Sequence, residues 1–287
     1  MPPQDPTSVP SAPAASAGSP APAASDGHRL DIPHPDTTDP DILCAEGRGG
    51  VIILCDHASN AVPRGLNALG LDDAALQDHI AWDIGAASVA AMISEMMQVP
   101  AVLAPVSRLV IDCNRDADDP TLVPAVSDGV VIPGNQGLDK ARIAARKTAY
   151  YDPFHRTAGD LVAAHLAEGL VPMVIGMHSF TPAMNGTPRP WQIGFLWNRD
   201  PRLAQALIGL VERETDLTVG NNQPYSGRDL YTSMQRHGAD HGLPQTTVEI
   251  RQDLLADRRM CAEWAELLAN LLDECLSRPD ILSIRHY

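Results

Sequence analysis

From residue 50 onward, short unbroken apolar runs alternate with longer periodic ones. Gly50-Val51-Ile52-Ile53-Leu54-Cys55 is a glycine followed by an apolar, β-branched run, the pattern of a strand buried on both faces. It stops at the polar cluster Asp56-His57-Ala58-Ser59-Asn60. Helical periodicity over 73–97 predicts a helix ending before Val99-Pro100, and 101–104 and 109–113 read as further strands. The Gly-, Pro- and Asp-rich stretch 114–137 predicts a loop whose length suggests a functional loop or lid. Residues 138–168 predict a long helix broken near Asp152-Pro153. A second buried strand over 171–177 ends in the polar pair His178-Ser179, and 192–197 predicts another strand. Asp200-Pro201 supplies an N-cap and a first-turn proline for a helix running to about Thr215. A loop over 221–227, a helix over 228–237, a strand over 245–250 that contains Glu249, and an amphipathic helix over 256–276 complete the pattern.

Strands alternating with helices predict an α/β fold, a layered sheet with helices on both faces. In open α/β sheets ligands gather at the carboxyl ends of the strands. Three separate strands here deliver His57, His178 and Glu249 to or near that edge. Residues 1–40 carry no such pattern. Their Pro/Ala/Ser-rich tract lacks the apolar area to offset ordering entropy and reads as a disordered tail, leaving 41–287 as a single domain.

Composition narrows the partners. Only 4% of the 287 residues are aromatic, so Ala, Leu, Val and Ile must build the core. The formal charge of −15 argues against nucleic-acid binding and against docking on anionic membranes. Arginines within this acidic chain therefore become candidate anion hooks. No apolar run reaches the roughly 18 residues of a membrane span. The five cysteines, Cys44, Cys55, Cys113, Cys261 and Cys275, are scattered and form no C-x-x-C pair, against both a disulfide framework and a thiolate zinc cluster. With no basic start and no apolar h-region at the N-terminus, a reducing cytoplasm is the expected compartment.

A histidine after a strand is, alone, an ordinary polar cap. Two in equivalent positions suggest two thirds of a catalytic zinc set, which takes two His, one carboxylate and an open position. Asp83, in the otherwise apolar His79-Ile80-Ala81-Trp82-Asp83-Ile84-Gly85, is the leading third ligand, with Asp56 and Asn60 as rivals and an N-cap or buried ion pair as its structural alternative. Glu249 reads either as a general base or as a partner of Arg251 two residues on. Arg108 and Arg115, around a short apolar segment, are candidate carboxylate clamps. The loop Asn222-Gln223-Pro224-Tyr225-Ser226-Gly227-Arg228-Asp229 offers a hydroxyl and a guanidinium, or is simply a turn. There is no G-x-S-x-G elbow, no P-loop and no G-x-G-x-x-G motif. His155, His165, His237 and His241 read as surface or structural residues.

Six blocks occur in the order of a known family: Cys55-Asp56-His57-Ala58-Ser59-Asn60, Ile80-Ala81-Trp82-Asp83-Ile84-Gly85-Ala86, Ser107-Arg108-Leu109-Val110-Ile111-Asp112-Cys113-Asn114-Arg115, Met177-His178-Ser179-Phe180, Asn222-Gln223-Pro224-Tyr225-Ser226 and Val248-Glu249-Ile250-Arg251-Gln252-Asp253-Leu254. Over roughly residues 45–275 the chain resembles the N-formylglutamate amidohydrolases, a family itself similar to zinc carboxypeptidases. The resemblance implies a mixed, largely parallel sheet sandwiched between helices and a Zn²⁺ site at His57, Asp83 and His178. It implies Glu249 as the catalytic glutamate and Asn114 and Arg115 as substrate ligands. With Arg108, Tyr225, Arg228 and Arg251 these complete the expected substrate-binding set. Two positions depart from the pattern: the carboxypeptidase H-x-x-E becomes His57-x-x-Asn60, and the family's H-S-G becomes His57-Ala58-Ser59. The implied activity is hydrolysis of a small N-acyl amino acid of the N-formyl-L-glutamate kind. The competing readings are a peptidase or amidase on N-acyl peptides or cell-wall material with the same metal centre, and a non-catalytic binding protein on the same fold.

Overall fold

The computed structural model of the chain describes residues 38–229 and 231–287, so the tail expected over 1–40 falls almost wholly outside the described residues. Seven strands form the main sheet: β1 Asp41–Leu43, β2 Val51–Cys55, β3 Ala101–Leu103, β6 Met173–Phe180, β9 Ile193–Leu196, β10 Val219–Asn221 and β11 Gln245–Arg251. Their order is β1-β3-β2-β6-β11-β9-β10. The central four, β3, β2, β6 and β11, run parallel. β1 is antiparallel on one edge; on the other, β9 is antiparallel to β11 and carries β10 parallel to itself. Two small hairpins stand apart, β4 Val126–Ser127 with β5 Val130–Val131, and β7 Ala183–Met184 with β8 Thr187–Pro188. The chain is thus a mixed α/β protein with a largely parallel sheet.

Alternation along the strands decides what each face buries. Val51, Ile53, Met173, Ile175, Val248 and Ile250 point to the face covered by α2 (Ala86–Met97), α5 (Arg202–Glu214) and α7 (Arg258–Leu276). Ile52, Leu54, Val102 and Val174 point to the other, packed on Phe154, Ala158 and Val162 of α4 (Asp152–Ala167) and Met234 of α6 (Thr232–His237). A third cluster, around Leu69, Ile80, Leu109, Ile111, Ile132 and Tyr151, fills the space beside the sheet. Among the described residues no helix is long and apolar enough to cross a membrane.

That third cluster explains where the pattern misled. The periodic stretch 73–97 is two helices, α1 (Asp73–Gln77) and α2, because Ile80 and Ala81 are buried in the satellite cluster instead of on a continuous helix face. Residues 109–113 form no strand. Leu109, Val110 and Ile111 are buried there too, with Val110 N–H bonded to Ser107 O and Asp112 N–H to Leu122 O in place of a sheet partner. Stretch 114–137 is not structureless, since it contains the β4–β5 hairpin and the turn Pro133–Asn135. Nor does Pro153 break the helix. α3 (Lys140–Arg146), capped by the Asp139 side chain, continues through a π-helical turn, Lys147–Tyr151, into α4, whose first turn holds the proline. β6 runs three residues further than expected, so His178 lies inside the strand and not after it.

α2 starts at Gly85, with φ of +82° and a position where a Cβ would lie 2.5 Å from Leu255 Cβ. This glycine both turns the chain and admits the loop after β11. Gly137 also has positive φ, +62°, but open space around it. Gly137→Ala is therefore expected to lose about 1–2 kcal/mol, the left-handed penalty alone. Gly85→Ala adds overpacking of about 1–3 kcal/mol. Urea unfolding at constant m-value checks this; equal losses would mean that the contact with Leu255 is relieved freely.

Candidate functional site

The register of two adjacent parallel strands builds the centre of the site. His178 on β6 lies directly opposite Glu249 on β11, both on the face that buries Val174. β2 ends at Cys55, and the turn after it carries Asp56 and His57 into the same region. Asp83 arrives from the segment between α1 and α2, tied down by its own N–H to the His57 carbonyl (3.0 Å).

One oxygen of Asp83 gathers these groups. Oδ2 lies 2.7 Å from His178 Nδ1 and 3.2 Å from His57 Nδ1, and accepts from Ser179 N–H at 3.4 Å. The two rings meet edge to face with centroids 4.9 Å apart. Ligand atoms of His57, Asp83 and His178 lie within 4.8 Å of one another, all buried. Behind the rings stand two more carboxylates. His57 Nε2 is 2.8 Å from Asp112 Oδ1, and His178 Nε2 is 3.3 Å from Asp56 Oδ2. Asp112 is held by Arg108 Nη2 (2.9 Å) and the Asn114 N–H (2.8 Å), and Asp56 by the Ser233 hydroxyl (2.6 Å). Each imidazole thus faces Asp83 through Nδ1 and a second carboxylate through Nε2; an ion held between the Nδ1 atoms and Asp83 would require the Nε2–H tautomer, its proton directed at Asp112 or Asp56. The donor set of two imidazoles and a carboxylate fits a divalent ion of the zinc type.

The electrostatics follow from burial and pairing. Burial works to raise the Asp83 pKa, but His57 and His178 outweigh it and hold the carboxyl ionised far below its usual range. Asp112 is likewise held well below, against burial, by His57 and Arg108. Burial and Arg108 oppose protonation of His57, yet Asp112 and Asp83 win and its pKa rises; that of His178 rises further, against burial, through Asp56 and Asp83. Glu249 behaves differently. Its Oε2 is buried without a hydrogen-bond partner among the described residues, and burial pushes the carboxyl up to about 7.

These groups line a cavity of about 240 Å³, together with Arg108, Asn114, Arg115, Tyr225, His79, Thr247 and the apolar Phe180, Met184 and Leu196. The structure therefore brings together His57, Asp83, His178, Glu249, Arg108, Asn114, Arg115 and Tyr225. It leaves Arg228 and Arg251 outside. Arg228 packs against the Trp197 ring, and Arg251 pairs with Asp253 at 2.8 Å and not with Glu249. Asn60 is spent on a bond to the Leu76 carbonyl (2.9 Å), which separates it from the cluster that Asp83 joins. Sequence reasoning assigned no backing role to Asp56 and Asp112 and overlooked Ser233 and Arg189. Asp112 was visible in the arginine-rich block, four residues after Arg108, but nothing in its spacing points to His57. His155 and His237 are structural but not superficial: His155 Nδ1 lies 2.9 Å from His237 Nε2, and burial lowers their pKa values to about 3 and about 4. His165 is also buried, bonded to the Leu161 carbonyl, and His241 is exposed.

The sequence profile of the N-formylglutamate amidohydrolase family matches residues 49–256. The crystal structure of a gene product from Agrobacterium tumefaciens is 38% identical, with a TM-score of 0.81 over 83% of this chain and 95% of that one. A crystal structure of N-formylglutamate amidohydrolase from Ralstonia eutropha is 15% identical, with a TM-score of 0.55 over 83% and 99% of the two chains, a likeness of fold. No curated protein matches the sequence.

The Glu249 carboxyl has a signed consequence for stability. Its folded pKa of about 7 lies above the ordinary 4.5, so it stays protonated in both states at low pH. As pH rises from about 4.5 to about 7 the unfolded chain releases the proton first and stability is lost; above about 7 both states have released it and the loss is complete. Glu249→Gln cannot titrate. In chelator-treated protein the variant is expected to gain stability relative to wild type between pH 5 and 8. A variant less stable at every pH would instead mark Glu249 as an ion-pair residue.

Proposed function

The chain belongs to the N-formylglutamate amidohydrolase family and is a hydrolase, and from that premise we propose that it is a metal-dependent amidohydrolase that cleaves the amide of a small N-acyl amino acid. One observation carries this reading: ligand atoms of two imidazoles and a carboxylate converge within 4.8 Å, and a glutamate whose Oε2 has no hydrogen-bond partner among the described residues stands opposite one of those imidazoles in the sheet. His57, Asp83 and His178 would hold the ion, Zn²⁺ by their donor chemistry, with Asp112 and Asp56 fixing the rings. Bound there, the ion supplies a Lewis acid that polarises the acyl carbonyl and acidifies water. The zinc carboxypeptidase likeness is part of the same reading, supported by adjacent parallel strands that present a ligand and a base in register.

The protein's own groups then divide the work. Glu249, with a pKa of about 7, accepts a proton from the attacking water and returns it to the leaving nitrogen as the C–N bond breaks, giving a carboxylic acid and a free amine. Arg108 is oriented by Asp83 (3.4 Å) and Asp112 (2.9 Å) on the cavity wall, where it can stabilise the tetrahedral oxyanion. Asn114, Arg115 and Tyr225 on the same wall bind the substrate carboxylate. Arg115 suits that task, since its guanidinium has no ion-pair partner among the described residues. A cavity of about 240 Å³ favours a small substrate over a peptide; drug-sized ligands occupy roughly 300–1,000 Å³. We take 41–287 as one catalytic domain in a reducing cytosol, since one sheet runs from β1 to β11 and all five cysteines are free.

Elemental analysis of the purified protein should find about one divalent ion per chain, and N-formyl amino acids should be hydrolysed. His57→Ala, His178→Ala and Asp83→Ala are expected to lose the ion, and Asn60→Ala to keep it. The reverse result for Asp83 and Asn60 would move the third ligand to Asn60. Glu249→Gln is expected to keep the ion and bind substrate while kcat drops on the order of 10²–10⁴-fold. A near wild-type kcat per metal-loaded molecule would remove Glu249 from the mechanism.

A further inference from the structure

Arg189 is a buried cation. Its residue is 8% exposed, and among the described residues no carboxylate pairs with it. Its guanidinium lies between two aromatic rings, with Cζ 4.9 Å from the Tyr225 centroid and 5.7 Å from that of Phe180. Every acceptor it has is neutral: Nη1 donates to the Thr181 carbonyl (3.3 Å) and hydroxyl (3.0 Å), and Nη2 to the Tyr225 hydroxyl (3.1 Å) and the Met184 thioether (2.7 Å). All four residues that surround it, Phe180, Thr181, Met184 and Tyr225, line the cavity.

A buried charge ordinarily demands an opposite one. Arg146 is buried as well, but it is tied to the Val110 and Gly134 carbonyls and Asn135 Oδ1 and touches none of the cavity walls named above. Arg189 differs in that one N–H rests on a thioether sulfur, a weak acceptor. That sulfur belongs to Met184, 40% exposed on the two-stranded β7–β8 hairpin, so it is free to leave. A carboxylate that displaced it would gain charge-assisted bonds. Charge balance agrees. The region gathers four carboxylates, Asp56, Asp83, Asp112 and Glu249, and three guanidinium groups, Arg108 and Arg115 on the cavity wall and Arg189 behind Tyr225, so that a divalent ion would leave it positive. Arg108 is already committed to Asp83 and Asp112, which leaves Arg115 and Arg189 as the two cations open to substrate.

We propose that Arg189 determines specificity in this site: it receives the side-chain carboxylate of an acidic N-acyl amino acid in place of the Met184 thioether, while Arg115 and Asn114 hold the α-carboxylate. The assignment rests on the hydrolase reading above and extends it to a substrate with two carboxylates.

The test compares N-formyl-L-glutamate with N-formyl-L-methionine on the metal-loaded, full-length protein. Wild type is expected to prefer the glutamate. Arg189→Gln should lower kcat/KM for it by about 10–100-fold, chiefly through KM, in keeping with the loss of a hydrogen bond to a charged group. The methionine substrate should change less than about threefold. Should Arg189→Gln fail to fold, Met184→Glu, on the exposed hairpin, plants a carboxylate on Arg189 and should abolish the preference equally. Calorimetric binding of both ligands to Glu249→Gln, with and without Arg189→Gln, reads selectivity without turnover. An Arg189-dependent preference for the acidic ligand there, without hydrolysis by wild type, would uphold the assignment and refute the hydrolase reading. Equal losses on both substrates would reduce Arg189 to a clamp on the hairpin, and a wild type with no preference for glutamate would overturn the proposal.

Discussion

Asp83 is a carboxylate buried between two imidazoles, and the structure around it is organised to make that tolerable. An isolated ionised carboxylate in such a place is prohibitively costly, so it must be paired and hydrogen-bonded. Both histidines supply partners, Arg108 a third, and the Ser179 N–H a fourth. The histidines in turn need outward acceptors, which Asp112 and Asp56 provide. The chain from 78 to 85 leaves the helix and the chain from 104 to 114 leaves the sheet so that Asp83, Arg108 and Asp112 converge. The apolar residues of those segments fill the satellite cluster around Leu109 and Ile111.

Glu249 stands apart from this network. It sits in register with His178, one strand away, yet no donor among the described residues reaches its Oε2. Burial acts against ionisation at both carboxyls: at Asp83 the two histidines outweigh it, whereas at Glu249 it prevails and leaves the group poised near neutrality. Two carboxylates separated by one ring thus have opposite protonation behaviour because one is paired and the other is not. This division suits a hydrolytic centre, in which one acid must stay a ligand while another exchanges protons.

The acidity of the whole chain says little about this pocket. A formal charge of −15 coexists with a cavity wall that carries Arg108 and Arg115 and is backed by Arg189. Over the few ångströms of a contact, nearby guanidinium groups act in low dielectric, whereas distant surface charges are screened.

Much was legible in the sequence because it depends on local order. Unbroken β-branched runs marked β2, β6 and β11, and polar residues at their ends marked His57, His178 and Glu249 as chemistry at the sheet edge. Motif blocks singled out Asp83, Arg108, Asn114 and Arg115, all of which reach the site. The apolar segments 80–81 and 109–111 were misread as helix and strand, since a hydrophobic pattern reports that a residue is buried, not what it is buried against. Arg228 and Arg251 look like hooks in one dimension but face Trp197 and Asp253 in three. Asp56 behind His178, Ser233 behind Asp56, and Arg189 between Phe180 and Tyr225 are contacts across 122, 177, and 9 and 36 residues. The sequence alone determined the buried strands and most of the residues that carry chemistry. Tertiary structure alone decided which charges are neutralised and which remain open, because pairing depends on distance in space, and sequence spacing conveys that only within an element.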